Sequence, residues 1–352
     1  MRVVKASAVY MDASEINPYQ MIERVGRTCY KSEDKITADS AIGFCMRMKN
    51  SGHWAMLEHG YVFFKLEPEF GRELIAEIDL NDRFAYLDAT KIRVGNYLNI
   101  TEIPDECDYI SGSFRAVLQL VGIAEHSDTS EWPAIKKISA VLHRVYPDMF
   151  EHSYDGIEVG DLDIIQLLTR EGFIASVKSL DDDYDEAFVN RVLSRHLPHT
   201  VIFTCDRGVS HEFVRHRVAA FGQESTRYCN YTKEKFGGVS VIDPLFWDEA
   251  AFDTDDEKAT AKELHEIWQA ACKMLEVTYN TMIGLGASPQ QARSILPNST
   301  KTEIAITAVE EEWQHMINLR YHGTTGKPHP QMVEAMTCIY DTLCEKSEHR
   351  LA

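Results

Sequence analysis

The sequence predicts a mixed α/β (α+β) fold, an antiparallel sheet with long helices packed on it. Three observations lead there. Short β-rich runs stand at the start (MRVVKASAVYM), at Tyr61–Leu66 (YVFFKL) and at Val201–Cys205 (VIFTC). Long helical stretches fill the last third of the chain, over about 256–283, 289–296, 302–320 and 330–346. The 352 residues, 44% hydrophobic and 26% charged, are ordinary for globular chains and sufficient for one large core or two domains.

In chain order, the opening strand is followed by helices at 16–30 and 38–49 and then by the strand Tyr61–Leu66. Residues 67–200 are mixed, with turn signals at Gly95-Asn96, Ser111-Gly112-Ser113 and Asp155-Gly156 and an acidic run, DDDYDE, from Asp181. After Val201–Cys205 a helix is expected over 208–217, then an irregular polar stretch and the C-terminal helices. Ser288-Pro289 suits an N-cap followed by proline in the first turn. The apolar stripe Leu264, Ile267, Ala271 and Leu275 and the pair Phe63-Phe64 read as core. No repeat of 20–50 residues is visible.

The formal charge is −19, from 36 basic and 55 acidic residues, which argues against broad binding to nucleic acid or an anionic membrane. No signal peptide is expected, and no apolar run approaches the length that spans a bilayer. Eight cysteines form no CxxC pair, which disfavours a zinc ribbon and fits a reducing, cytoplasmic setting. The acidic excess is uneven: residues 67–200 carry 26 acidic and 12 basic side chains, the remainder 29 and 24.

Against that background Arg207–Tyr228 is a reversal. It holds four arginines (207, 215, 217, 227) against Glu212 and Glu224, with His211 and His216 alongside. Guanidinium groups present planar forks suited to phosphate, and on a helix the consecutive Arg215-His216-Arg217 would point about 100° apart, towards different anions. A solvated basic helix end is the plainer reading of that triplet taken alone.

Arg215-His216-Arg217, seven residues (VAAFGQE) and then Ser225 with Arg227-Tyr228 resemble the signature of flavin-dependent thymidylate synthases. Gly52-His53 through Glu58-His59 resembles that family's upstream block. Gln291-Ala-Arg293 through Pro297, Leu319-Arg320 and His329-Pro-Gln331 resemble its C-terminal blocks. The resemblance covers roughly 1–66 and 200–345. It implies a methyltransferase that converts dUMP to dTMP with FAD as cofactor, methylenetetrahydrofolate as carbon donor and NADPH as reductant. It implies no protein nucleophile and a homotetramer with shared sites. Ser225, Thr226, Arg227 and Arg293 would hold the nucleotide, with Glu212 and Gln223 beside it. Arg320 would face the uracil edge and, with Ser225, take the catalytic role. His53, Glu58, Arg215, His216, Arg217, Val218 and His329 would bind the flavin. No metal is expected, since His53, Glu58 and His59 lack a zincin spacing. Cys229 lacks the surroundings of a nucleophile and reads as a small buried residue.

Four departures stand against the resemblance. Ala55 replaces a hydroxyl residue. Gly222-Gln223 replaces an Asn-Glu pair. Val309-Glu310-Glu311 stands where the family has Asn-x-Arg reaching the flavin. The segment Gly323–Lys327 lengthens the gap before His329, and Lys327 brings back a positive charge there. The catalytic domain is expected from 1–66 and 201–352, with 67–200 an acidic inserted subdomain in which Arg115, heading a helix, substitutes for the missing arginine. Hydroxymethylation of a pyrimidine nucleotide and silent nucleotide binding are the alternatives.

Overall fold

The computed structural model describes residues 1–87, 97–125, 132–150, 164–182, 184–348 and 351. The expected turns at Gly95-Asn96 and Asp155-Gly156, and Asp183 of the acidic run, lie outside them. The chain opens with β1 (Arg2–Val4) and β2 (Ser7–Met11), then α1 (Pro18–Tyr30) and α2 (Ser40–Asn50). Asn17 and Gln20 form a capping box at α1, with Pro18 in the first turn, and the helix buries Ile22, Val25 and Cys29. A 3-10 segment, Trp54–His59, leads into β3 (Tyr61–Leu66), where both Phe63 and Phe64 are core.

Next come α3 (Pro68–Leu87), β4 (Leu98–Ile103), β5 (Cys107–Ser113), α4 (Phe114–Glu125), α5 (Pro133–Val145), β6 (Ile165–Leu168), α6 (Arg170–Lys178) and α7 (Glu186–His196). Ser111-Gly112-Ser113 is the end of β5 and not a turn. Gly112 serves close packing there, since a Cβ would fall 2.7 Å from Leu98 Cδ2. The rest comprises β7 (Pro198–Asp206), α8 (Arg207–Phe213), β8 (Ala220–Gln223), β9 (Ser240–Ile242), α9 (Asp255–Gly284), α10 (Pro289–Ala292), β10 (Lys301–Val309), α11 (Glu310–Ile317), α12 (Pro330–Thr337) and α13 (Tyr340–Lys346).

Two four-stranded sheets, both wholly antiparallel, dominate: β2-β7-β10-β8 and β4-β5-β3-β6. Strands β1 and β9 make a separate parallel pair. The mixed fold and the antiparallel sheet are as expected. The expected helix over 302–320 is not: its first half is β10, the strand between β7 and β8. Thr302, Ile304, Ala305, Ile306, Thr307 and Ala308 are all buried, so the polar–apolar alternation of a half-exposed strand is lost. The helix begins only at Glu310-Glu311-Glu312, acidic residues suited to a positive N-terminal dipole end.

Two further corrections concern packing. The stripe on α9 is not core: Leu264 and Ile267 are exposed, as are Met274 and Val277. Nor does the core break at Leu66. Strand β3 pairs with β5 and β6, both from 67–200, and one cluster joins Tyr19, Leu57 and Phe64 with Phe70, Phe114 and Ile138. No helix among the described residues is long and apolar enough to cross a membrane.

Candidate active site

The Arg-His-Arg triplet lies beyond its helix. Asp206 caps α8 by accepting from Val209 N, but α8 ends at Phe213, and turn hydrogen bonds (His216 N to Phe213 O, Ala219 N to His216 O) carry the chain into β8. The three side chains are therefore spread by turns rather than by a helical 100° step. Arg215, Arg217 and Val218 are exposed, and His216 is buried. Among the described residues neither arginine has an ion pair or side-chain hydrogen bond, so both guanidinium groups are free for a ligand.

His216 is held from two sides. Its Nδ1 is 3.1 Å from Glu312 Oε1, and its Nε2 accepts from Arg320 Nε at 3.2 Å. Arg320 sits in a single π turn, Asn318–His322, which ends α11 and redirects its side chains. Its other nitrogens donate to Glu212, Nη1 to Oε2 at 2.8 Å and Nη2 to the carbonyl at 3.1 Å. Three of its five N–H groups are thus committed, and two remain. Glu212 reaches Arg320 rather than standing free. The ligand atoms of His216, Glu312 and His315 lie within 4.8 Å of one another, a grouping that sequence spacing did not reveal. The guanidinium already bound to His216 places a positive charge where a cation would have to come.

A second group forms where β8 runs out. Ser225 N donates to Cys29 O, fixing the loop on α1, and Thr226 is buried. Arg293, in the 3-10 turn after α10, donates from Nη1 to Thr226 Oγ1 at 3.2 Å. Arg227 donates from Nε to Gln290 Oε1 at 3.0 Å and lies over the Tyr228 ring. Neither has a carboxylate partner among the described residues. His53 joins this group through Tyr30, whose hydroxyl is 2.7 Å from its Nδ1 and whose ring packs on Tyr228. Gln223 bridges the groups from below, donating to Ser210 Oγ and Thr302 Oγ1.

The remaining expected residues lie apart from these contacts. Glu58 is ion-paired with Arg115, which does head α4. His329 is exposed before α12 and packs on Phe246. Glu311 points to Arg195 at 4.0 Å. A cavity of about 440 Å³ also lies elsewhere, between the N-terminal ends of α1 and α6 and the starts of β3 and β7.

Buried polar networks beside the site were not read from sequence. Glu224 accepts from Tyr231 and Lys301, and Lys31 pairs with Glu303. Burial lowers the Lys301 pKa, but Glu224 and Glu303 outweigh it and the net shift is upward. His59 Nδ1 is 2.7 Å from Thr307 Oγ1, which is also 2.7 Å from Thr200 Oγ1. Partners so distant in sequence leave no local signal.

The family described as thymidylate synthase complementing protein matches residues 188–344, the stretch that contains both arginine groups. Over these residues the chain is similar to that family. The flavin-dependent thymidylate synthase of Pyrococcus furiosus is 30% identical over 116 residues, 33% of this chain and 43% of that protein. That of Saccharolobus solfataricus is 27% identical over 180 residues, 49% of this chain and 63% of its own length. The chain therefore spans less than two thirds of these curated relatives. A UMP/dUMP methylase, PolB from Streptomyces cacaoi bound with 5-Br UMP, aligns with a TM-score of 0.38 and 14% identity, covering 59% of this chain and 84% of that one.

Proposed function

We propose that the protein is a flavin-dependent thymidylate synthase that methylates C5 of dUMP. The observation that carries this reading is the pair Arg227 and Arg293 beside Ser225-Thr226, two guanidinium groups with no carboxylate partner among the described residues, around a loop of hydroxyls and amides. A nucleotide phosphate matches that donor set. The two N–H groups left on Arg320 would donate to a uracil carbonyl. The bonds to Glu212 and His216 hold that guanidinium in place, so the charge developing on the base meets a donor already oriented. Arg215 and Arg217, exposed and unneutralised, fit the diphosphate of FAD, with His216 between them as a fixed strut. The flavin supplies the hydride when bound, methylenetetrahydrofolate the carbon and NADPH the electrons.

No protein nucleophile is needed. Cys229 is 1% exposed and burial pushes its thiol up to about 11, which disqualifies it as a thiolate at neutral pH. Chains would assemble through the exposed apolar stripe of α9, a second copy covering Leu264, Ile267, Met274 and Val277. A silent nucleotide-binding role is favoured by one observation, the carboxylate of Glu311 where the family's flavin-binding arginine stands. Purified protein that takes up FAD and releases tritium from C5-labelled dUMP, dependent on methylenetetrahydrofolate and NADPH, supports the enzyme. Arg227→Ala should weaken dUMP by about 10-fold or more, since a charge-assisted hydrogen bond contributes about 1.5–3 kcal/mol. Protein that binds dUMP and never FAD would leave only the silent reading.

A further inference from the structure

The two sheets have the same construction. One has the order β2-β7-β10-β8 and the other β6-β3-β5-β4, antiparallel throughout. Matched position by position, β2-α1-α2-β3-α3-β4-β5-α4 corresponds to β6-α6-α7-β7-α8-β8-β10-α11 in the same chain order. The first strand of each set lies in the sheet of the other, β2 against β7 and β6 against β3. The chain is thus two like units with their first strands exchanged, the arrangement of a domain-swapped dimer in one polypeptide.

The registers confirm the match at the level of residues. Tyr61 pairs with Ser113, and Pro198 with Val309. Two residues before each strand start stand His59 and His196. Two before each partner's end stand Ser111 and Thr307. His59 meets Thr307 at 2.7 Å and His196 meets Ser111 at 2.9 Å, so each unit's histidine reaches the other unit's hydroxyl. One position earlier, Glu58 pairs with Arg115 and Arg195 with Glu311, the same contact with its charges reversed.

The units differ where the arginine groups lie. Counted from the first residues of α3 and α8, Arg215, His216 and Arg217 correspond to Ala76, Glu77 and Ile78. The α3 and α8 alignment is supported by burial, since Phe70, Gly71 and Leu74 are buried like Val209, Ser210 and Phe213. Glu77 accepts from Ala134 N and Ile135 N at 2.9 Å each, so the N-terminus of α5 fills the place that the second unit leaves open. Arg320 corresponds to the buried Ala124. The connection that carries Arg227 and Arg293 spans 224–300 in the second unit, against 104–106 in the first.

We propose that the chain is an internally duplicated, strand-exchanged pair in which only the second unit retains an anionic-nucleotide site. The first unit has become its scaffold, and one chain binds one nucleoside monophosphate. The binding of dUMP in this inference rests on the function proposed above; the location of the anion sites does not. The test is equilibrium dialysis of the intact protein with radiolabelled pyrophosphate and, separately, dUMP. The variants are Arg215→Ala/Arg217→Ala/Arg227→Ala/Arg293→Ala, all exposed positions, and Glu77→Gln in the first unit. Saturable pyrophosphate binding should fall at least tenfold in the quadruple variant and stay unchanged in Glu77→Gln, with one dUMP per chain. Two dUMP per chain, wild-type pyrophosphate binding in the quadruple variant, or no pyrophosphate binding at all would overturn the inference. Pyrophosphate bound in the expected pattern with no dUMP would leave it standing and remove the dUMP reading.

Discussion

Replacing Thr307 by valine removes one hydroxyl from the meeting point of the two sheets and keeps the shape of a β-branched residue on a central strand. That hydroxyl serves His59 Nδ1 and Thr200 Oγ1, each at 2.7 Å. His59 is buried and its Nε2 has no side-chain partner among the described residues, so Thr307→Val takes away the ring's one side-chain hydrogen bond and leaves only the Phe221 backbone beside it. A buried group without its hydrogen bond costs about 1–3 kcal/mol. Thr200 loses a bond too, and both it and His59 border the cavity, where water can replace part of what is lost, so the expected loss is about 1.5–3 kcal/mol. Ser111→Ala is the matched control in the other unit. It frees one ring nitrogen of His196, whose Nε2 keeps Thr101 Oγ1 at 2.9 Å, and otherwise gives up only the long contacts of Ser111 Oγ with Asn99 Nδ2 at 3.4 Å and the His196 carbonyl at 3.5 Å, so about 1–2 kcal/mol is expected. Urea unfolding at pH 7.5 reads both as shifts in midpoint at constant slope. A Thr307→Val loss equal to or smaller than that of Ser111→Ala would refute the reasoning.

Two predictions follow from the same physics. Burial lowers His59 and His196 to about 3 each, so both stay neutral in the fold while unfolded histidine gains a proton below about 6.5. The unfolded chain then binds more protons, and stability falls as pH drops from 6.5 towards 3. The loss is about 2 kcal/mol per histidine by pH 5, and an unfolding midpoint independent of pH between 7 and 5 would contradict it. On the function proposed above, Cys229→Ala should retain thymidylate-forming activity, since the buried thiol packs with Tyr231 and Tyr279 and no nucleophile is called for; a loss of turnover with unchanged melting temperature would restore the nucleophile reading.

The candidate site was more legible in the sequence than the fold around it. Arg215, His216, Arg217, Ser225 and Arg227 stand out through the motif that resembles the family signature, Arg293 and Arg320 only through the resemblance of the blocks around them, and all lie within the part of the chain that matches the family. The error over 302–309 came from periodicity, because a strand covered on both faces has no polar side to betray it. The duplication escaped because the two units share almost no residue identity. What they share is a strand order and two histidine–hydroxyl contacts, and these exist only once distant segments have paired. The segment 67–200 reads as an inserted subdomain in the sequence for the same reason: its β5 resembles nothing locally, yet it holds the place that β10 holds in the other unit.

One divergence between the units tests that correspondence directly. Thr101 on β4, opposite Tyr109, donates to or accepts from His196 Nε2, and its counterpart on β8 is Gly222, opposite Ala305. A Cβ at Gly222 would stand 3.4 Å from His59 Nε2, which has no partner among the described residues, so a hydroxyl residue there would come within reach of that nitrogen. The same Cβ would meet Val25 Cγ1 at 2.6 Å and Cys29 Sγ at 3.0 Å, both on the buried face of α1. Overpacking of this kind costs about 1–3 kcal/mol, whereas a new hydrogen bond returns about 0.5–1.5 kcal/mol. Gly222→Ser should therefore destabilise the protein, and Val25→Ala in the same chain should recover part of that loss even though Val25→Ala alone opens a cavity. The double variant is thus expected to unfold at higher urea than the sum of the single effects predicts, a coupling that can arise only if position 222 and α1 contend for one space. Strict additivity would mean that the glycine is kept for some reason other than the approach of α1.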